Sequence, residues 1–236
     1  PIRANLVYWR KMSVGIDSLI SDINLGHNHT AESAEWVMSE ILQGKLSDEQ
    51  IANWIIALSA KGETAEEITY FINILYQYAL PINIRTRAVD PVGTGGDGFH
   101  TINISTTSAI IAAAAGSVVA KHGSVAATSK SGSADVLVEL GINIDLDGPT
   151  NEESISKFGI AFIKATKYHS SLRFAAPARR AIGKPTVFNI LGPLANPSRP
   201  KAFVLGVAPE NRFDLMSEVM RDRGNDGFVV RGNDGM

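Results

Sequence analysis

The segment from Asp90 to Thr107 reads DPVGTGGDGFHTINISTT, and the rest of the chain is organised around it. The apolar residues Ala88 and Val89 come just before it and predict a buried strand. The alanine-rich segment 109–115 comes just after it and has a strong helix preference. Between them, four of the six residues 93–98 are glycine. The order of strand, glycine loop and helix therefore predicts an α/β unit centred on this loop.

A glycine-rich loop in this position is suited to hold phosphate. Glycine accepts positive φ angles and carries no side chain, so backbone N–H groups can converge, and the start of the following helix adds its unpaired N–H groups. The helix entry also supplies small donors and potential metal-ligand oxygens, from Asn103, Ser105, Thr106 and Thr107. The loop matches neither the Walker motif nor the dinucleotide motif. A turn that only reverses the chain is the alternative.

A second polar cluster follows the next predicted strand. Residues 121–133 read KHGSVAATSKSGS and contain two lysines, one histidine and five hydroxyl groups. They lead into a predicted helix, and the set suits an anionic ligand with several oxygens, because each charge-assisted hydrogen bond contributes about 1.5–3 kcal/mol. A solvated loop without a ligand is the alternative.

After Pro81, short apolar runs alternate with helical segments, which is typical of a parallel sheet with crossover helices. The predicted strands are 89–92, 117–120, 142–144, 160–163, 203–207 and 228–230. A helix is predicted at 151–158, with a capping box from Thr150 to Glu153. Sheets of this kind bind ligands beyond the carboxyl ends of their strands, which is where the glycine loop lies. We therefore expect residues 81–236 to form an α/β domain with a mainly parallel central sheet.

The sequence pattern of residues 12–80 predicts a small α-helical domain. Apolar residues recur every three or four positions, Thr30 is placed as an N-cap, and Ser47 and Thr64 open capping boxes. No residue of this domain points to catalysis.

The aromatic and histidine residues of the helical domain are expected to be structural. Trp36 and Trp54 lie at helical spacing and are predicted in the core or at an interface. His27 and His29 lie in a loop and are predicted to be solvated rather than bound to metal.

The composition excludes several classes. The 236 residues carry a formal net charge of −2 and no cysteine. The near-neutral charge argues against a nucleic-acid binder, and the lack of cysteine agrees with a reducing compartment. No apolar stretch is long enough to span a bilayer. We expect a cytoplasmic protein without membrane or nucleic-acid partners.

The two ends of the chain are expected to differ from those of the natural protein. Residues 1–11 show no clear periodicity and are predicted to be an added leader ahead of a natural start at Met12. The chain stops at Met236, directly after a predicted strand, so the α/β domain is expected to be incomplete.

A third polar cluster contains Lys167, Tyr168 and His169, followed by three arginines. Arg173, Arg179 and Arg180 could form a solvated helix face. Alternatively, one of them binds a carboxylate through its planar guanidinium.

Taken together, these segments resemble the anthranilate phosphoribosyltransferases. The matching motifs are GTGGD at 93–97, NIST at 103–106, KHG at 121–123, SKSGSADVL at 129–137, APARR at 176–180 and FNILGPLANP at 188–197. The resemblance covers nearly everything after Met12. It implies transfer of the phosphoribosyl group of 5-phosphoribosyl 1-diphosphate (PRPP) to the amino group of anthranilate, with release of diphosphate, in tryptophan biosynthesis.

The resemblance also implies an architecture. It is an α-helical domain joined to an α/β domain of the nucleoside phosphorylase and phosphoribosyltransferase type. Residues 167–185 would pack with the helical domain, and a homodimer would form through the helical part.

The site residues implied by the resemblance follow by position. The PRPP site would contain Gly93, Gly96, Asp97, Thr101, Asn103, Ile104, Ser105, Thr106, Lys121, His122, Gly123, Ser124, Val125, Ala126, Ala127, Thr128, Ser129 and Ser133. The acceptor site would contain Gly93, His122, Ser124, His169 and Arg179. Lys121 and Ser105 would be the catalytic residues, and Ser105 would ligate Mg²⁺, the implied cofactor.

Three departures from the family pattern affect these expectations. The family usually has asparagine at the position of Ser124, and residues 164–172 differ on both sides of Tyr168 and His169. Both departures concern the acceptor. The family's Asp-Glu pair for two magnesium ions would follow Met236 and is missing, so weak magnesium binding and poor activity are expected of this chain.

Two alternative functions belong to different classes. A pyrimidine nucleoside phosphorylase has the same architecture but would need its own phosphate motif. A non-catalytic relative could bind nucleic acid through a basic surface, which the near-neutral charge disfavours.

Overall fold

The computed structural model describes residues 15–95, 99, 102–124 and 132–235. It begins with four helices: α1 (Ile16–Asn24), α2 (Ala31–Leu42), α3 (Asp48–Lys61) and α4 (Ala65–Tyr78). The last three each start with a capping box, in which Thr30, Ser47 or Thr64 accepts a hydrogen bond from a backbone N–H of the first turn. These three predicted helix starts are confirmed.

A buried polar network lies at the start of α4. Glu67 is fully buried and accepts hydrogen bonds from Lys61 Nζ and from the His29 backbone N–H, both at 2.8 Å. The His29 ring is also buried, and its Nε2 accepts a hydrogen bond from Trp54 Nε1 at 3.1 Å. Burial lowers the pKa of His29 to about 4. The prediction that His29 is solvated is therefore wrong, whereas His27 is exposed as predicted.

The second part of the chain is an α/β domain with a five-stranded parallel sheet. Its strands are β1 (Val89–Gly93), β2 (Val119–Gly123), β3 (Ile160–Lys164), β4 (Ala202–Gly206) and β5 (Asp226–Val230). The strand order is β3-β2-β1-β4-β5, and every neighbouring pair is parallel. The fold class predicted from the sequence is confirmed.

Helices connect the strands. They are α5 (Ile104–Ala114), α6 (Ser133–Glu139), α7 (Gly148–Phe158), α8 (Ala165–Tyr168), α9 (Ala176–Ile182), α10 (Val187–Leu194) and α11 (Phe213–Asp222), with 3-10 turns at Ser170–Ala175 and Glu210–Arg212. In the part of the chain that the structure describes, no helix has the length and apolar character needed to cross a membrane.

Two local predictions in this domain are wrong. Residues 142–144 form a loop between α6 and α7 rather than a strand, because Ile144 packs against Leu137 of α6 while Ile142 is 44% exposed. The helix expected from 151 begins earlier, since the Asp147 side chain, not that of Thr150, caps it. Asp147 Oδ1 accepts a hydrogen bond from the Thr150 backbone N–H at 2.9 Å.

The core of the helical bundle continues into the α/β domain. Trp54 of α3 is fully buried, and its ring meets that of Phe188 in α10 at a centroid distance of 6.4 Å. Ala175 and Ala178, before and within α9, belong to the same buried cluster. Residues of α9 and α10 therefore pack directly on the helical bundle.

Candidate active site

The five parallel strands end at one edge of the sheet, and three of them end in glycine: Gly93, Gly123 and Gly206. From β1 the chain moves to β2 and β3 on one side, and later to β4 and β5 on the other. Loops from neighbouring strand ends therefore diverge beside β1, and open α/β sheets bind ligands at such a switch point. The predicted phosphate loop begins there.

The ends of β1 and β4 lie in close contact at this switch point. A Cβ atom at Gly93 would lie 3.3 Å from the carbonyl oxygen of Gly206. The Thr94 backbone N–H donates to the same carbonyl at 2.9 Å, and Thr94 Oγ1 accepts a hydrogen bond from the Ala208 N–H at 3.1 Å. These contacts fix the first residues of the glycine loop against β4.

Lys121 joins three elements at this edge. The side chain is buried, and Nζ donates to the Pro91 carbonyl at 3.0 Å and to Ser105 Oγ at 3.2 Å. Because Pro91 belongs to β1 and Ser105 to the first turn of α5, one ammonium group connects β2, β1 and the helix after the glycine loop. Its positive charge therefore lies beside a helix N-terminus, where an anion is already favoured.

Asp90 balances the charge of Lys121. It is fully buried in β1, and its carboxylate accepts hydrogen bonds from the His122 N–H at 3.1 Å and from Asn196 Nδ2 at 2.8 Å. Burial raises the pKa of Asp90 to about 6, although Lys121 opposes the shift. Burial also lowers the pKa of Lys121, although Asp90 opposes that shift. Burial therefore disfavours the ionised form of both side chains, and their mutual attraction offsets part of that effect.

Two buried histidines lie next to each other. The rings of His122 and His169 meet edge to face with centroids 5.7 Å apart. His169 Nε2 lies 2.7 Å from the Ala195 carbonyl, so this nitrogen carries the proton and Nδ1 has a lone pair. Neither His169 Nδ1 nor His122 Nε2 has a hydrogen-bond partner among the residues described. Burial lowers the pKa of both rings, that of His122 to about 3, so the pair is neutral at pH 7.

The first turn of α5 presents small polar groups beside Lys121. Asn103 comes just before this helix, which opens with Ile104 and the half-buried Ser105. Thr106 is buried, and its hydroxyl has no hydrogen-bond partner within the described ranges. Of the four predicted PRPP-site residues in this stretch, Ser105 contacts Lys121 directly, and the other three are its neighbours along the chain.

The end of β2 packs against the start of α6. The Ser124 carbonyl accepts a hydrogen bond from the Ala134 N–H at 3.2 Å, and a Cβ at Gly123 would lie 3.1 Å from the Cβ of Ser133. Ser124 and Ser133 are thus brought close to the Lys121 strand. The remaining predicted PRPP-site residues lie outside the residues that the structure describes: Gly96, Asp97, Thr101, Val125, Ala126, Ala127, Thr128 and Ser129.

Arg179 lies where α9 packs on the helical bundle. Its guanidinium carbon is 5.5 Å from the centroid of the Phe188 ring, and burial lowers its pKa. The ring of Phe188 contacts Trp54 in turn. Of the predicted acceptor residues, Gly93, His122 and Ser124 lie at strand ends and His169 contacts His122, whereas Arg179 lies between the two domains.

Asp90 and Asn196 are not among the site residues predicted from the sequence, although both are fully buried and polar. For Asp90 a signal was present, because it interrupts the apolar residues of a predicted strand, and a carboxylate in such a position needs partners. Asn196 follows an apolar segment, and only the three-dimensional structure shows that it reaches β1 and β2.

The described residues offer little to a metal on their own. Within these ranges, no group of three or more His, Cys, Asp or Glu side chains could hold an ion. Ser105 provides one hydroxyl oxygen at the start of α5. Mg²⁺ commonly keeps several waters and binds substrate phosphates with few protein ligands. An ion held at Ser105 would therefore take most of its ligands from phosphate oxygens and water.

The chain is similar to anthranilate phosphoribosyltransferases along most of its length. It is 44% identical over 218 residues to the enzyme of Streptomyces griseus, a match that covers 92% of this chain and 62% of that protein. The solved structure of the Thermus thermophilus enzyme has a TM-score of 0.86 at 38% identity, covering 92% of this chain and 66% of that one. The solved structure of the Saccharomyces cerevisiae enzyme in complex with PRPP and Mg has a TM-score of 0.83 at 25% identity. This match covers 93% of this chain and 66% of that one.

Both parts of the chain match a described family. Residues 17–79 match "Glycosyl transferase family, helical bundle domain", and residues 85–236 match "Glycosyl transferase family, a/b domain". The chain spans about 62% of the length of its Streptomyces griseus relative. These matches agree with the helical bundle and the parallel sheet described above. The chain belongs to this glycosyl transferase family, and it is similar in sequence and fold to anthranilate phosphoribosyltransferases.

Proposed function

We propose that this chain is part of an anthranilate phosphoribosyltransferase, which transfers the phosphoribosyl group of PRPP to the amino group of anthranilate and releases diphosphate. The observation that carries the proposal is the position of Lys121, whose ammonium lies between β1 and the first turn of α5. Similarity to proteins named as anthranilate phosphoribosyltransferases, one of them solved with PRPP and Mg, supports PRPP as the donor and anthranilate as the acceptor. A role in tryptophan biosynthesis and a cytoplasmic location belong to the same proposal, as expectations from the sequence.

The residues at the strand ends are arranged to hold the diphosphate of PRPP. Lys121 supplies a positive charge, and the N–H groups at the start of α5 supply donors that need no reorganisation during reaction. When bound, Mg²⁺ would supply further positive charge to the diphosphate, with Ser105 as its protein ligand. As diphosphate leaves, the ribose carbon gains oxocarbenium character, and negative charge grows on the group that Lys121 contacts.

The acceptor side needs positioning rather than strong base catalysis. The amino group of anthranilate is neutral at pH 7, so its nitrogen can attack once it is aligned with the ribose carbon. Arg179 would bind the carboxylate through its planar guanidinium, and the neutral rings of His122 and His169 would border the acceptor without adding charge. Ser124 and residues 164–172 depart from the family pattern, so the affinity for the acceptor is where we expect this chain to differ.

Thermal unfolding with different ligands tests the proposal. PRPP with magnesium at a hundredfold excess over its dissociation constant should stabilise the chain by about 2.7 kcal/mol. For a chain of this size, that raises the melting temperature by roughly 5–10 °C. Inorganic phosphate with thymidine should give little change. A higher melting temperature with phosphate and thymidine but not with PRPP would instead indicate a nucleoside phosphorylase. A mobility shift of single-stranded DNA in the presence of the chain would indicate a nucleic-acid binder.

We also propose that the chain forms a homodimer through its helical domain. A groove between α1 and α3 is lined in part by Ile20, Leu25 and Ile56. Leu25 is 71% exposed and Ile56 is 54% exposed. Large apolar side chains grouped along one groove are typical of a protein–protein interface, and a second copy of the chain would cover them.

Replacement of Ile56 by aspartate is expected to convert the dimer to a monomer, because a charge would be buried without a partner in the interface. Sedimentation equilibrium at several protein concentrations measures this change. Val138→Asp is a matched control, because Val138 on α6 is also 54% exposed but lies in the other domain. A wild-type chain that sediments as a monomer, or equal effects of the two substitutions, would contradict the proposal.

A further inference from the structure

Asn196 is a fully buried amide that joins two neighbouring strands. Its Nδ2 donates to Asp90 Oδ2 in β1 and to the Ala120 carbonyl in β2, both at 2.8 Å. Its Oδ1 accepts hydrogen bonds from the Ser198 backbone N–H at 3.0 Å and from the Ser198 hydroxyl at 2.8 Å. A neutral amide can donate two hydrogen bonds and accept two. Aspartate at this position would instead place a second carboxylate against Asp90.

The residues just before Asn196 make contacts with other parts of the molecule. The Ala195 carbonyl accepts a hydrogen bond from His169 Nε2 at 2.7 Å. The Leu194 carbonyl accepts one from the Tyr76 hydroxyl of α4 at 3.1 Å. The segment 194–196 is therefore hydrogen-bonded to the helical bundle, to β1 and β2, and to His169 after α8.

Asp90 links Asn196 to the end of β2. Its Oδ1 accepts a hydrogen bond from the His122 backbone N–H, and its charge faces the ammonium of Lys121. Its charge also helps to raise the pKa of the buried Tyr76 hydroxyl, which burial raises most. A shift of Asp90 would therefore disturb its neighbours on β2, and both of these, Lys121 and His122, are residues of the proposed PRPP site.

We propose that Asn196 is a positioning residue, which fixes the carboxylate of Asp90 and thereby places Lys121 and His122 for the diphosphate of PRPP. The proposal rests on the proposed function for the identity of the ligand. Because Asn196 is fully buried and bonded to β1 and β2, its effect must appear on binding of the donor and on the environment of β2.

Two measurements on the full chain test this role. The first is the affinity of Asn196→Ala for PRPP with magnesium by calorimetry, where we expect a loss of about tenfold. The second is the pH titration of the His122 backbone amide by NMR, which reports ionisation of Asp90 and should have a midpoint of about 6 in the wild-type chain. In the variant this midpoint should rise by about half a pH unit or more, because ionised Asp90 loses a donor.

Asn151→Ala is the matched control. Asn151 is also a fully buried amide of the α/β domain, but its Nδ2 donates to the Tyr168 hydroxyl at 2.8 Å. This variant should lose stability without changing the PRPP affinity or the His122 midpoint. If Asn196→Ala does not fold, Ser198→Ala removes one hydrogen bond to Asn196 and should shift the same midpoint in the same direction by a smaller amount.

The outcomes separate this proposal from the proposed function. An unchanged His122 midpoint in the variants of Asn196 or Ser198, or equal losses of affinity for Asn196→Ala and Asn151→Ala, would overturn the positioning role. A wild-type chain that does not bind PRPP would count against the proposed function alone, because the amide titration still decides what Asn196 and Asp90 do.

Discussion

Replacement of Lys121 by methionine is expected to weaken the binding of PRPP with magnesium roughly 10- to 100-fold. A charge-assisted hydrogen bond contributes about 1.5–3 kcal/mol, and about 1.4 kcal/mol corresponds to a factor of ten. Methionine has nearly the length of lysine, so it fills the buried space and removes mainly the charge. Isothermal titration calorimetry at fixed ionic strength measures the change, since salt screens such contacts.

Two further variants complete the Lys121 experiment. Ser105→Ala should weaken binding in the presence of magnesium, because the hydroxyl that Lys121 contacts and that would hold the ion is lost. His27→Ala should bind like the wild-type chain, because His27 is exposed in the loop after α1. If all three variants bind PRPP with magnesium equally well, then Lys121 and Ser105 do not form the PRPP site.

Replacement of Lys61 by methionine is expected to destabilise the chain by about 3–5 kcal/mol, because removing one partner leaves an uncompensated buried charge on the other. The side chains of Lys61 and Glu67 are 6% and 0% exposed, and their N–O distance is 2.8 Å. Burial alone would raise the pKa of Glu67, but hydrogen bonds from Lys61 and His29 lower it below its usual value. The carboxylate therefore stays charged at neutral pH. Urea unfolding measures the loss of stability.

An exposed ion pair in the same domain provides the control. Lys45 Nζ lies 2.9 Å from Glu40 Oε1, but these side chains are 53% and 22% exposed. Lys45→Met should cost less than about 1 kcal/mol, because exposed pairs are screened by solvent. If Lys61→Met lowers the free energy of unfolding by no more than Lys45→Met does, then the buried network around Glu67 does not stabilise the helical bundle.

The parts of the fold that the sequence predicted well depend on local chemistry. Thr30, Ser47 and Thr64 cap helices through bonds to residues three positions away, so the pattern is visible within one turn. Residues 142–144 show where local patterns fail. Three residues containing two isoleucines are compatible with a strand or with a loop that packs one side chain, and only the position of α6 decides between them.

Long-range polar contacts account for the rest of what the sequence did not show. His29 reaches Trp54, 25 positions away, and Asp90 reaches Asn196, 106 positions away. No periodicity or spacing marks such pairs, because they form only when separate helices and strands pack together. For the candidate site, the strand–loop–helix pattern placed Lys121 and Ser105 in regions that could meet, and the structure shows that they do, at 3.2 Å.

Amide chemical shifts in an NMR titration with PRPP and magnesium show whether the ends of β1 and β2 and the start of α5 bind one ligand together. A single shared site predicts that the amide signals of residues 93–95, 104–106 and 121–124 shift together with one dissociation constant, while those of α1, α2 and α3 do not respond. Shifts confined to one of the three segments, or shifts in α1–α3 with none at the sheet edge, would contradict it.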